Sequence, residues 1–202
     1  MSDRRPEPAR VGVVGAGADG AVVDAVSAGG VPASAIESAV GSVLAGEFEA
    51  VAYPLLTVEG HAVEDPPHAL FDLALVAGEP ARISEYTVRS AGDRIATLRA
   101  DGVVVATPAG STGYARAASG PIVAPGTGVV AVVPVSPFAT EADHWVLPDD
   151  GVGLRVERDE TPVRLVADGR EVGSADPGRD LAISTRRHLT IAVVDESAGF
   201  FG

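Results

Sequence analysis

The sequence contains no cysteine and no lysine. Without cysteine there is no disulfide, no thiolate nucleophile and no thiolate metal ligand. The four histidines, His61, His68, His144 and His188, are scattered without metal-ligand spacing, so no metal centre is expected. All 15 basic residues are arginine, against 28 acidic ones, and the formal net charge is −13. Such a field repels nucleic acid and anionic membranes, so neither is expected as a partner. A chain without lysine, rich in Asp, Glu and small apolar residues, suits concentrated salt. There the Debye length shrinks to about 3 Å at 1 M, and self-repulsion is screened. A halophilic origin is the expectation. Aromatic residues make up only 4% of the chain and hydrophobic ones 46%, so the core must be built from Val, Ala, Leu and Ile. No run approaches the roughly 18 apolar residues that a membrane span needs. Residues 1–10 are polar and lack the apolar stretch of a secretion signal. They read as a disordered leader, and a cytoplasmic protein is expected.

What is present falls into two textures. Residues 11–14 are a short apolar run that reads as a strand. Gly15-Ala16-Gly17-Ala18-Asp19-Gly20 then turns into a helix over 21–28, which Gly29-Gly30 ends. Ser34 is expected to cap a second helix, with Ile36, Val40, Val43 and Leu44 on one face, Glu37 near its positive end and Gly46 closing it. From residue 47 onward short apolar runs alternate with turn residues. Strands are expected over 51–58 (broken by Pro54), 70–77, 83–88, 95–99, 103–106, 129–135, 153–157, 163–167, 181–184 and 189–194. Many short strands at near-regular spacing predict a sandwich or barrel. The GxGxxG pattern at 15–20 invites a dinucleotide-binding βαβ unit. That unit needs a second strand ending in an acid about 20 residues on. Glu37 lies near that distance but falls in the expected helix, and no βαβα alternation follows.

The most informative stretch runs from Asp101-Gly102 through residues 103–106, a buried strand, to Thr107-Pro108-Ala109-Gly110-Ser111-Thr112-Gly113-Tyr114. Pro108 stops the strand, having no N–H for the ladder. The small residues that follow allow close approach of backbone and hydroxyls. Ser111 or Thr112 could cap a short helix from Tyr114. Such a corner suits a polar, often anionic ligand. It is equally an ordinary strand–turn–helix junction.

Asp101-Gly102, then Thr107-Pro108-Ala109-Gly110-Ser111-Thr112-Gly113-Tyr114, then Ser119-Gly120-Pro121-Ile122-Val123-Ala124-Pro125 resemble the signature of the NAD kinase family. That family carries a DG, a TPTGSTAY-like loop and a GGPI(V)xP run in this order. Here Ala109, Gly113 and Ser119 replace a Thr, an Ala and a Gly. The resemblance covers residues 34–202 and is densest over 101–125. It implies an α+β, NAD-kinase-like fold, with a truncated N-terminal α/β segment and a C-terminal all-β sandwich-like domain. The division expected is a leader at 1–10, the α/β segment at 11–46, the dinucleotide-binding domain at 47–190 and a tail at 191–202. The tail ends in Gly199-Phe200-Phe201, like the family's FF terminus, which returns to the N-terminal segment.

The resemblance also implies roles. Gly17-Ala18-Asp19-Gly20-Ala21 is similar to the family's GGDGT, whose Asp is the base that activates a ribose 2′-hydroxyl; this makes Asp19 the candidate catalytic residue. Alternatively, residues 11–14 match the family's first strand and the GGDGT region is missing. Ala69-Leu70-Phe71-Asp72 stands at an ALNE-like motif, with Asp72 for the acid and Phe71 for the Asn. Thr107, Gly110, Ser111, Thr112 and Tyr114 would contact the adenosine and phosphates of NAD or NADP. Arg99 and Asp101 would meet the second half of the dinucleotide. Asp168-Gly169-Arg170 matches a DGQ-like turn, and Val133 to Phe138 a tPixPH-like segment with Phe138 for His. The implied activity is transfer of the ATP γ-phosphate to NAD, with Mg²⁺. A second implied reading is an NAD(P)-binding homologue without phosphoryl transfer, a sensor or the partner of an intact kinase. A third is a scaffold with an empty pocket. The family's assemblies imply a homo-oligomer, a dimer or tetramer.

Overall fold

In the computed structural model, residues 30–60, 68–79, 82–139, 142–159 and 161–197 are described. The expected strand at 11–14, the glycine turn with Asp19, the helix at 21–28 and Gly199-Phe200-Phe201 lie outside them. The chain divides into two compact units, residues 1–53 with 188–202, and residues 54–187.

In the first unit, helix α1 spans Ile36–Ala45. Gly46 ends it in the left-handed conformation, φ 75°, and Glu47 N–H donates to Ser42 O at 2.8 Å. Glycine suits that cap because it carries no Cβ to clash there. The start differs from expectation. Ser34 does not cap α1, because it sits inside a 3₁₀ turn over Ala33–Ala35, and no side chain caps the helix. Ser38 Oγ instead donates to Glu196 Oε1. That hydroxyl is the first cause holding the Glu196 carboxyl below its ordinary range.

The second unit is built of strands. In chain order they are β1 (Glu49–Glu59), β2 (His68–Ala69), β3 (Asp72–Ala77), β4 (Ser84–Ser90), β5 (Asp93–Ala100) and β6 (Gly102–Ala106). Then follow β7 (Val129–Val135), β8 (Trp145–Pro148), β9 (Asp150–Arg158), β10 (Val163–Ala167), β11 (Arg170–Ala175) and β12 (Asp180–Val193). β1 and β12 run on into the first unit. The strands form two six-stranded sheets, ordered β2-β1-β12-β9-β4-β5 and β11-β10-β3-β6-β7-β8. The second is antiparallel throughout. This is the expected sandwich, not a doubly wound parallel sheet.

One core lies between the sheets. Leu56, Val88, Leu154 and Ile183 from one sheet pack with Leu73, Leu75, Val103, Val105 and Leu165 from the other. These aliphatic side chains carry the core, as the shortage of aromatics demanded. Tyr86 is the exception. It is fully buried, and burial pushes its hydroxyl up to about 12. A second cluster covers the outer face of the second sheet, where Ala74, Val104, Ala106 and Val133 meet Ala115 and Val123. The central strand β6 is therefore buried on both faces, which is why residues 102–106 show no polar alternation. It also places residues 107–123 as a flap against that outer face.

Candidate functional site

β3 and β6 are neighbours, with Asp72 opposite Ala106. The bend at residues 70–71 thus lies beside the end of β6, where Thr107-Pro108 leaves the sheet. Thr107 joins the two. Its N–H donates to Phe71 O at 2.9 Å, and its hydroxyl donates to Leu70 O at 2.7 Å. The same hydroxyl oxygen accepts from Gly110 N–H at 3.2 Å. Gly110 then packs onto the bend so closely that an added Cβ would penetrate the Phe71 carbonyl and lie 2.9 Å from its Cα. Ser111 Oγ donates to Pro108 O at 2.7 Å and accepts from Val123 N–H at 3.0 Å. That bond fastens the flap to the loop.

Asp168 completes this framework from the β10–β11 hairpin. Its φ is 46° and that of Gly169 is 73°, so the Asp-Gly pair makes a tight turn of positive φ. One carboxylate oxygen accepts from Leu70 N–H at 2.8 Å. The other accepts from Phe71 N–H at 2.8 Å and Asp72 N–H at 3.1 Å. Asp168 N–H in turn donates to Asp72 O at 3.0 Å.

Thr107, Gly110, Ser111 and Asp168 therefore spend their polar atoms on the chain itself. Thr107 and Ser111 are 0% exposed. Neither Ser111 nor Thr112 caps the helix that follows, α2 (Tyr114–Ala117), which has Gly113 at its N-cap and only four residues. Ser111 cannot cap because Pro108 and Val123 already occupy its hydroxyl; Thr112 Oγ1 reaches back to Ala109 O at 3.4 Å.

Tyr114 of the same loop faces outward instead, 41% exposed. Its phenol is raised above its ordinary 10.0, first by partial burial, then by the charges of Asp72 and Asp101. The structure thus brings Tyr114, Asp72 and Asp101 into one electrostatic neighbourhood. Asp101 sits where the chain crosses from β5 in one sheet to β6 in the other. It is held there by its N–H on Val135 O at 3.0 Å and by Ala77 N–H on its carbonyl at 2.8 Å. Asp72 is 7% exposed and opens β3. The two carboxylates are acceptors and act on the phenol as negative charges. They suit ligand donors such as sugar hydroxyls or amide and amino N–H groups. They disfavour a phosphate at the same point.

Arg99 belongs to a neighbouring feature. Its guanidinium lies 5.7 Å from the centre of the Phe138 ring, and Phe138 N–H donates to Arg99 O at 2.9 Å. Together with Trp145, Glu85 and Asp143 they line an open groove of about 450 Å³. Asp72, Asp101 and Tyr114 do not line it. Sequence reading did not single out Glu85, which stands opposite Arg99 only because of the β4–β5 register. It equally missed the main-chain groups of residues 70–72, which have no signature in residue type. Among the described residues, no cluster of three or more His, Asp or Glu is arranged to hold a metal, and no helix is long and apolar enough to cross a membrane.

Comparison with known proteins gives a consistent result. Residues 71–193 match the model of the ATP-NAD kinase C-terminal domain. A NAD kinase of Geobacter sulfurreducens is 31% identical over 164 residues, covering 79% of this chain and 58% of that protein. One from Methanosarcina barkeri is 37% identical over 101 residues, covering 50% of this chain and 37% of that protein. The chain thus spans well under two thirds of the length of these relatives. Among solved structures, an Archaeoglobus fulgidus NAD kinase in complex with ATP superposes with a TM-score of 0.68 at 25% identity, over 81% of this chain and 62% of that one. Yeast NADH kinase complexed with NADH superposes with a TM-score of 0.70 at 21% identity, over 82% of this chain and 50% of that one, a likeness of fold.

Proposed function

Since this chain belongs to the ATP-NAD kinase C-terminal domain family, we propose that it binds an adenine dinucleotide, NAD or NADP, at the corner formed by Asp72, Asp101 and Tyr114. The observation that carries this reading is a half-exposed phenol that feels the charges of Asp72 and Asp101, on a framework whose own hydroxyls are already satisfied. Asp72 and Asp101 accept hydrogen bonds from ribose or amide donors, Tyr114 covers a ring, and Thr112 borders the opening. Arg99, beside Asp101, supplies the cation that the acidic corner lacks. Thr107, Gly110, Ser111 and Asp168 serve the site from behind.

The proposed reaction moves the ATP γ-phosphate to the 2′-hydroxyl of NAD and makes NADP. Asp19 takes the hydroxyl proton as the oxygen attacks the γ-phosphorus, the bond from that phosphorus to the β–γ bridging oxygen breaks, and ADP leaves. Bound with ATP, Mg²⁺ would neutralise part of the phosphate charge; among the described residues no cluster of three or more His, Asp or Glu is arranged to hold it. Such a reaction depends on positioning and charge neutralisation. One specific observation favours a second reading, an NAD(P)-binding homologue without transfer. Ala18 and Ala21 flank Asp19 where bare backbone and a hydroxyl would serve a phosphate. A cytoplasmic, salt-adapted homo-oligomer, dimer or tetramer, is part of the same proposal.

The test is incubation with ATP, Mg²⁺ and NAD in molar salt, read as NADP formed. Product that disappears in Asp19→Ala supports the kinase. No product, with NAD or NADP still raising the melting temperature, supports the binder. No product and no thermal shift contradicts both.

A further inference from the structure

The three consecutive amides of Leu70, Phe71 and Asp72 converge on one carboxylate, 96 to 98 residues away in sequence. The β10–β11 hairpin needs no such contact for its own turn. An Asp-Gly pair satisfies that geometry with the side chain free in solvent. The contact instead joins the end of β10 to the start of its neighbour β3. It fixes the bend that carries Asp72, whose charge acts on the Tyr114 phenol. The other face of the same bend is fixed by Thr107, through Leu70 O and Phe71 O. Residues 70–72 are thus gripped on their N–H side by Asp168 and on their carbonyl side by Thr107. A carboxylate accepting several amide N–H groups makes stronger, more directional bonds than a neutral acceptor.

We propose that Asp168 is a positioning residue for the nucleotide site: it acts through the 70–72 main chain to aim the Asp72 carboxylate, and it touches no ligand itself. This rests on the reading of Asp72 as a nucleotide contact, and it assigns Asp168 to the framework rather than to the binding surface.

Two substitutions separate positioning from turn formation. Asp168→Asn keeps the turn, since Asn-Gly is strongly favoured there, and keeps one acceptor oxygen. It presents an NH₂ group to the Leu70 N–H and removes the charge. Asp168→Gly keeps the positive φ without strain and removes all three bonds. The first readout is the ionisation of Tyr114, followed by NMR of its labelled Cζ, with Tyr53→Phe and Tyr86→Phe giving the assignment. Burial raises it first, and the charges of Asp72 and Asp101 raise it further. Once the bend is released and Asp72 swings away, the midpoint falls toward 10.0. The shift should be partial for Asn and larger for Gly. The second readout is the Kd for NADP by calorimetry, at a temperature where each variant is folded, expected to rise about tenfold or more. An unchanged Tyr114 midpoint in both variants overturns the proposal, and so does an unchanged Kd alongside a shifted midpoint. Should the unmodified protein bind no NADP while the midpoint still falls, the nucleotide reading fails and the placement of Asp72 by Asp168 stands.

Discussion

Gly110→Ala should cost at least about 3 kcal/mol of stability and lower the melting temperature by roughly 6–12 °C, at about 2–4 °C per kcal/mol for a chain of this size. The reason is local. A Cβ at 110 would run into the carbonyl carbon and oxygen of Phe71, and its Cα would be 2.9 Å away. All three atoms are main chain in a bend held by Thr107 and Asp168. No flexible side chain can move to make room. A control isolates the effect. Gly41 lies within α1, and a Cβ there meets nothing within 4 Å. Gly41→Ala should therefore stabilise by roughly 0.5–1 kcal/mol, through helix propensity alone. Thermal melts of both variants, monitored by circular dichroism, check the pair. Equal, small effects would mean that the loop can lift off the bend without cost.

The second large effect is expected at Thr107. Valine there keeps shape and volume but removes the hydroxyl. Leu70 O loses its 2.7 Å donor, and the buried Gly110 N–H loses its acceptor. Leaving buried polar groups unpaired costs about 2–3 kcal/mol. Thr107→Ser restores the hydroxyl and gives up only a methyl group, so it should retain most of the stability. The loosened bend should also weaken nucleotide binding more than the stability loss explains, because Asp72 is carried on it. Chemical denaturation of the two variants, with the slope m held constant, separates stability from any change in the denatured state.

These expectations revise how the central motif is understood. In sequence, the glycines and hydroxyls of residues 107–113 read as bare backbone and donors offered to a ligand. In the structure they serve the chain's approach to itself. Gly110 rests on Phe71, and Gly120 approaches Ala115 O and the Val133 side chain to 2.7 Å for an added Cβ. Ser119, which stands where the resemblance has glycine, has φ 68°, a conformation that explains that preference. The fold class was legible because the alternation of apolar and turn residues depends only on local pattern. The same pattern gave β6 as a buried strand. β8 and β11 escaped notice. The first is four residues at a sheet edge, and the second is largely polar, with Arg170, Glu171, Gly173 and Ser174 in six positions. Edge strands bury too little surface for periodicity to mark them. The long β12 read as two strands because residues 186–188 are exposed arginines and a histidine.

Residue type also carried part of the proposed site. Asp72, Asp101 and Tyr114 could be singled out because each is a group of definite chemistry in a recognisable motif. The influence of the two charges on the phenol could not be deduced, since it depends on β3 lying beside β6 and on the chain crossing between sheets at Asp101. Asp168 was visible as half of an Asp-Gly turn. Its grip on residues 70–72 was not, because its partners are amide groups that every residue possesses.

The most direct test is an NMR titration of the ¹⁵N-labelled protein with NADP in molar salt. The account predicts saturable binding, with the largest shifts at Asp72, Asp101, Thr112 and Tyr114. Binding that perturbs only residues remote from these four, or no saturable binding by either NADP or NAD, would contradict it.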